Sequence, residues 1–211
     1  MDKQYTRLKK IKLPDIKTPE GELQNTILKR KSYRDFSSKS ISKQALTKIL
    51  YYSSGVVRPN LFESNNPFRV YPSAGAKYPL EIYVLVMTVR GVDRGLYHYN
   101  PLMNYLDILS LNVTKKELDP IWMEKQKWFE NASVIIFITS IFDRTTDKYG
   151  ARGVMFPYIE AGHIAQNIYL LATSLNIGCC AIGMLNEKFV IKLLDINPRK
   201  EYPIYYLAVG N

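Results

Sequence analysis

The chain has 211 residues, 46% hydrophobic and 23% charged, with 11 Gly and 11 Pro. That length supports one domain, or two small ones packed together, and the composition excludes a collagen-like chain, a disordered acidic chain and a disulfide scaffold. The net charge is +10, with 13 Lys/Arg against 5 Asp/Glu in residues 1–48 (+8) and near balance in the rest (+2). Such a basic segment suits nucleic acid, an anionic surface or a bound phosphate, or is simply solvated surface that keeps the chain soluble. Cys179 and Cys180 are the only cysteines. Being adjacent, they are poorly placed to bridge one another, so a reducing cytoplasmic setting is expected. Residues 1–14 contain no apolar signal region, and the longest strongly apolar run, 134–138, is too short to span a bilayer.

In chain order, residues 1–20 read as an arm ending at the turns of Pro14 and Pro19, followed by a domain over 21–211. A short helix is predicted over 22–31, with Leu23, Thr26 and Ile27 on one side. Ser42 caps a clearer helix, stapled by Ile41 and Leu46 and closed by Gly55. Residues 58–79 carry four prolines and little periodicity and read as a long loop, of the kind that is usually functional or disordered. Strands are predicted over 80–89, 96–100, 105–109 and 132–140, the last buried by its unbroken apolar content. The strongest element is a helix over 157–176, apolar nearly all round and therefore read as central and buried, with His163 as a structural histidine. A strand over 179–182, a helix from Asn186 to Leu194 and a strand over 203–209 complete an α+β pattern.

The familiar short motifs are missing: no Walker loop, no GxGxxG after a strand, no GxSxG elbow. Two histidines are too few for a plain zinc site. Three clusters remain. Arg30, Lys31, Ser32 and Arg34 put two guanidiniums, an ammonium and a hydroxyl within five residues, a set that suits a phosphate or a solvated surface. Pro72, Ser73, Ala74 and Gly75 let backbone N–H groups approach a flat ligand or an anion, or form a turn into the next strand. Lys148 and Tyr149, which the pattern places in a loop, can move protons if a site perturbs them, or sit in an exposed basic turn.

Taken together, RKSYRDF (30–36), YPSAGAKYPLEIYV (71–84), GLYHYNP (95–101), KYGARG (148–153), EAGHIAQNIYLLA (160–172) and GCCAIG (178–183) resemble the nitroreductase superfamily of flavoproteins, and within it the SagB-type dehydrogenases that include azoline oxidases. The resemblance runs from about residue 30 to the C-terminus. It implies a mixed β-sheet flanked by helices around a central helix, in an intertwined homodimer with two FMN cofactors at the interface. It also implies that Arg30, Lys31, Ser32 and Arg34 hold the FMN phosphate and ribityl chain, with Lys31 where a second arginine or a histidine is common. Pro72, Ser73, Ala74 and Gly75 would reach the flavin from the partner subunit. Ala181, Ile182, Gly183 and Met184 would cover the isoalloxazine ring, and Lys148 and Tyr149 would be catalytic. Val154-Met155, where Tyr-Arg is usual, and Met184, where a second glycine is usual, depart from the pattern.

The expectation is therefore an FMN-dependent oxidoreductase passing electrons in ping-pong fashion between a donor, with NAD(P)H a candidate, and a small-molecule or peptide substrate. No nucleic acid, membrane or metal is called for. The rival readings are an FMN-binding protein without turnover, which needs no Lys148-Tyr149, and a basic nucleic-acid-binding protein, against which the charge excess coincides with the phosphate-type cluster.

Overall fold

A computed structural model describes residues 7, 13–14, 21–58, 66–111, 113–121 and 124–211. Of the arm expected over 1–20, all but Arg7, Leu13 and Pro14 lie outside the described residues, as do residues 59–65 of the long loop. The elements in order are α1 (Glu22–Lys29), β1 (Ile41–Ser42), α2 (Lys43–Ser54), β2 (Val56–Arg58), β3 (Phe68–Arg69), β4 (Leu80–Val86), β5 (Val89–Arg90), β6 (Gly95–Asn100), β7 (Tyr105–Leu111), α3 (Lys115–Leu118), β8 (Val134–Ser140), α4 (Asp143–Tyr149), α5 (Met155–Ser174), β9 (Gly178–Ile182), α6 (Glu187–Leu194) and β10 (Tyr202–Gly210).

Six strands form the main sheet in the order β7-β6-β4-β8-β10-β9. Every neighbour in it is antiparallel, and parallel pairing is confined to the two-residue β1–β5 contact. The mixed character expected of the sheet is thus limited to that outlying pair. β8 is buried at all seven positions, as its unbroken apolar run predicts. One hydrophobic core lies between the sheet, α2 and α5, through Leu46, Ile49, Ile136, Ile164 and Ile168. A second covers the other face with Phe36, Phe129, Val190 and Leu194.

Local chemistry explains most boundaries. The Ser42 hydroxyl accepts from the Ala45 N–H at 3.1 Å, and the Gly55 N–H closes α2 on Tyr51. α1 stops two residues before the expected end because Arg30 leaves helical geometry (φ −56°, ψ 124°). Residues 30–40 consequently contain no helix and run along the outer side of β9 and the end of β10. There the Tyr33 N–H donates to the Cys179 carbonyl at 2.9 Å and the Ser37 N–H to Asn211 at 2.6 Å.

The long loop carries the last residue of β2, all of β3 and a 3-10 turn, Ala74–Ala76. α5 starts at Met155, led in by a 3-10 segment, Gly150–Val154, so that Pro157 falls in the first turn, where its missing N–H has no intrahelical partner to lose. The expectation of a helix buried all round needs correction. One stripe of α5 faces outward in the single chain, with Met155 45%, Tyr158 54% and Ile159 46% exposed. His163 is exposed on the same stripe instead of buried. Among the described residues, no helix is long and apolar enough to cross a membrane.

Candidate functional site

The predicted residues gather into two clusters, joined by α5. The first lies along the outer edge of β9. Arg30 leaves α1 with its guanidinium 5.4 Å from the centre of the Tyr169 ring. Arg34 stands 5.8 Å over the Trp128 ring, and the Lys31 ammonium lies 5.9 Å from the Tyr33 ring. Among the described residues, neither guanidinium has a carboxylate or carbonyl partner, so their N–H forks remain free to bind an anion. The Ser32 hydroxyl meets the Tyr169 hydroxyl at 3.1 Å, and the Ala181 N–H donates to that same Tyr169 oxygen at 2.7 Å. Tyr169 therefore ties the basic segment to the strand end of Ala181 and Ile182.

Beyond Ile182 the chain is open. A Cβ built on Gly183 would meet nothing within 4 Å, and Met184 is 54% exposed. Gly178, by contrast, is required by close approach, since a Cβ there would sit 2.4 Å from the Tyr33 ring.

The second cluster is built on the turn of Pro72, Ser73, Ala74 and Gly75. Glu160, only 2% exposed, reaches it from α5. Its Oε1 accepts from the Ser73 hydroxyl at 2.9 Å and from the Ala74 N–H at 3.0 Å. The Ser73 oxygen in turn accepts from the Tyr78 N–H at 2.8 Å. Burial pushes the Glu160 carboxyl up to about 7, against these two hydrogen bonds, which favour its charged form. Its Oε2 and the Tyr71 hydroxyl are both buried without a hydrogen-bond partner among the described residues.

Gly75 takes a left-handed conformation (φ +60°), and an added Cβ would lie 2.6 Å from the Tyr149 hydroxyl and 3.0 Å from Lys148 Nζ. Lys148 and Tyr149 thus sit directly over the turn. They form the last turn of α4, a helix that the sequence pattern does not announce, rather than part of a loop. An ion pair holds α4 in place: Arg144 bonds Glu81 on β4 at 2.6 Å and donates to the Tyr78 carbonyl at 3.0 Å. Burial raises the Glu81 carboxyl, but His98 and Arg144 outweigh it and keep that carboxylate below its ordinary range. Beside the turn a groove of about 810 Å³ is lined by Arg58, Phe68, Arg69, Tyr71 and Gly75.

Glu160 and Tyr169 stand nine residues apart on α5, which places them about 13 Å apart along the axis and at opposite margins of its buried side. The two clusters therefore lie on opposite flanks of the helix in one chain. Neither Glu160 nor Tyr169 stands out as a site residue in the sequence. A carboxylate at a core position of a periodic helix is a signal for Glu160, whereas Tyr169 reads as one more core aromatic.

Comparison with known proteins agrees with this architecture. A protein of Methanocaldococcus jannaschii named as a nitroreductase is 36% identical over 200 residues, 95% of each chain. The microcin B17-processing protein McbC of Escherichia coli is 24% identical over 159 residues, covering 72% of this chain and 58% of McbC. Among solved structures, the E. coli McbBCD microcin synthetase complex with a truncated pro-MccB17 matches with a TM-score of 0.73 at 19% identity, over 98% of this chain and 79% of the matched one. A nitroreductase-type structure from Ralstonia eutropha matches with a TM-score of 0.71 at 24% identity, over 95% and 87% of the two chains. The nitroreductase family model matches residues 27–211, which include both clusters and the helix between them. With that coverage and a relative at 36% identity, the chain belongs to the nitroreductase family.

Proposed function

We propose that the chain is an FMN-dependent oxidoreductase of the SagB-type branch, acting as a homodimer in which each site joins the basic cluster of one copy to the turn cluster of the other. The observation that carries this reading is the opposed placement of the two clusters on α5, with an exposed apolar stripe, Met155, Tyr158 and Ile159, beside them. A twofold partner packed on that stripe would bring complementary halves together. The donor set supports the cofactor. Two guanidiniums, an ammonium and a serine hydroxyl suit a dianionic phosphate, and the open strand end at Gly183 leaves room for a flat ring.

Bound FMN supplies two-electron redox chemistry to such a site. Arg30, Lys31, Ser32 and Arg34 would hold its phosphate, and Ala181, Ile182, Gly183 and Met184 would lie against the ring. From the other copy, Pro72, Ser73, Ala74 and Gly75 would close the site, and Lys148 or Tyr149 would take a proton from the substrate. The groove of about 810 Å³ beside the turn would admit a small molecule or an extended peptide. Lys148-Tyr149, packed on Gly75, favours a working enzyme over a flavin-binding protein without turnover. The free thiols of Cys179 and Cys180 support a reducing compartment. Both cores share one sheet, which supports a single domain over 21–211.

Purified protein should be yellow, release FMN on denaturation and run as a dimer by light scattering, with an interface above about 2,000 Å². NAD(P)H consumption in stopped flow then tests the donor. A colourless monomer that takes up no FMN would sink the proposal.

A further inference from the structure

Tyr169 belongs to neither the basic cluster nor the strand end, yet its hydroxyl is where the two meet. The Ala181 N–H can only donate, so its 2.7 Å bond uses a lone pair of the Tyr169 oxygen and leaves the phenolic proton free. Tyr169 is 8% exposed, and among the described residues the Ser32 hydroxyl, at 3.1 Å, is the one remaining partner for that proton. Had Ser32 donated to Tyr169 instead, the buried phenolic proton would be left without an acceptor, which is the costlier arrangement. A phenol is also the more acidic of the two hydroxyls and the better donor. The bond therefore runs from Tyr169 to Ser32. Ser32 itself is exposed, and with its oxygen accepting from Tyr169 its own proton is left to donate to a ligand outside.

We propose that Tyr169 is a positioning residue that fixes the Ser32 hydroxyl as an outward donor to the phosphate of FMN, and so makes this chain prefer FMN over riboflavin. The inference rests on the cofactor reading above but concerns a residue that reading does not use. It assigns Tyr169 no contact with the flavin, and its effect passes entirely through Ser32. The Arg30 stack over the ring survives a Phe substitution, so Tyr169→Phe isolates the hydroxyl.

The test is flavin binding by fluorescence quenching, with FMN and riboflavin titrated into flavin-free wild type, Tyr169→Phe, Ser32→Ala and the double variant. Tyr169→Phe is expected to weaken FMN about tenfold and riboflavin less than about twofold, and to add little to Ser32→Ala. Equal loss of both flavins would make Tyr169 merely structural and overturn the proposal, as would full additivity in the double variant. Wild type that binds neither flavin would overturn the cofactor reading itself, a distinct result.

Because loss of the Ala181 bond can loosen β9, the melting temperature of the flavin-free variant is read first, and the ratio of the two affinities decides the outcome. If the Phe variant does not fold, 3-fluorotyrosine at position 169 keeps the ring and hydroxyl but lets the phenol ionise at lower pH. The preference for FMN over riboflavin must then decline as pH rises through that ionisation, and a flat ratio would overturn the proposal.

Discussion

The two clusters on α5 are held by different physics. The basic cluster is largely exposed, its cations braced over Tyr169, Tyr33 and Trp128 by ring contacts, and its backbone anchored by the Tyr33–Cys179 bond. It keeps its charge uncommitted, as a ligand clamp must. The turn cluster is anchored from within. A buried carboxyl, a left-handed glycine and the Arg144–Glu81 ion pair on the neighbouring helix fix it before anything binds. One region is an anion site waiting for a partner, and the other is a preorganised wall that presents Lys148 and Tyr149.

Four experiments probe that contrast. The wall should respond most strongly. Tyr149→Phe or Lys148→Ala should slow substrate oxidation by about 10²–10⁴-fold while leaving FMN affinity nearly unchanged. Rapid-mixing reduction with an authentic substrate, after a check of bound FMN, is the measurement, and wild-type rates would return the pair to a surface role. Next comes the clamp. Arg30→Ala should lower FMN affinity by roughly 1.5–3 kcal/mol without touching the turn, and full occupancy on dilution would remove Arg30 from the phosphate site.

Gly75→Ala tests the preorganisation of the wall. A side chain in left-handed geometry costs about 1–2 kcal/mol, and its Cβ would press on Tyr149 and Lys148. Chemical denaturation should show that loss, and an unchanged midpoint would mean that the turn is not held as described.

A subtler difference separates the clusters by pH. The Glu160 carboxyl is raised from 4.5 to about 7 by burial. Its protonated form is therefore favoured by folding, a contribution complete below about pH 4.5 and lost as pH rises through about 7. Glu160→Gln should flatten the decline in stability across that window, read as denaturation midpoints against pH. Parallel curves for the two proteins would show that the carboxyl is not strained by burial.

Much of this is legible in the chain itself. Ser42 announces α2 because an N-cap and its staple are contacts within one turn, and β8 and the body of α5 announce themselves by apolar content and period. The three chemical clusters are likewise visible as residue types at short spacing, and their joint resemblance to nitroreductases points to the family. α4 is not legible. In DRTTDKY only Thr145 is buried, and an ion pair to a distant strand anchors the helix rather than an apolar stripe.

The sequence alone thus dictates everything set by neighbours within a few residues: caps, strand and helix periods, and the charge and hydroxyl content of the clamp. Tertiary packing was needed for Glu160 to grip Ser73 and Ala74 across more than eighty residues, for Tyr169 to join Ser32 to Ala181, and for these two contacts to leave α5 on opposite flanks. Contacts of that kind depend on how the chain closes on itself. A hydrogen bond between residues so far apart leaves no periodic trace in either segment, and a buried glutamate or tyrosine in a helix looks the same in the sequence whichever partner the fold brings to it.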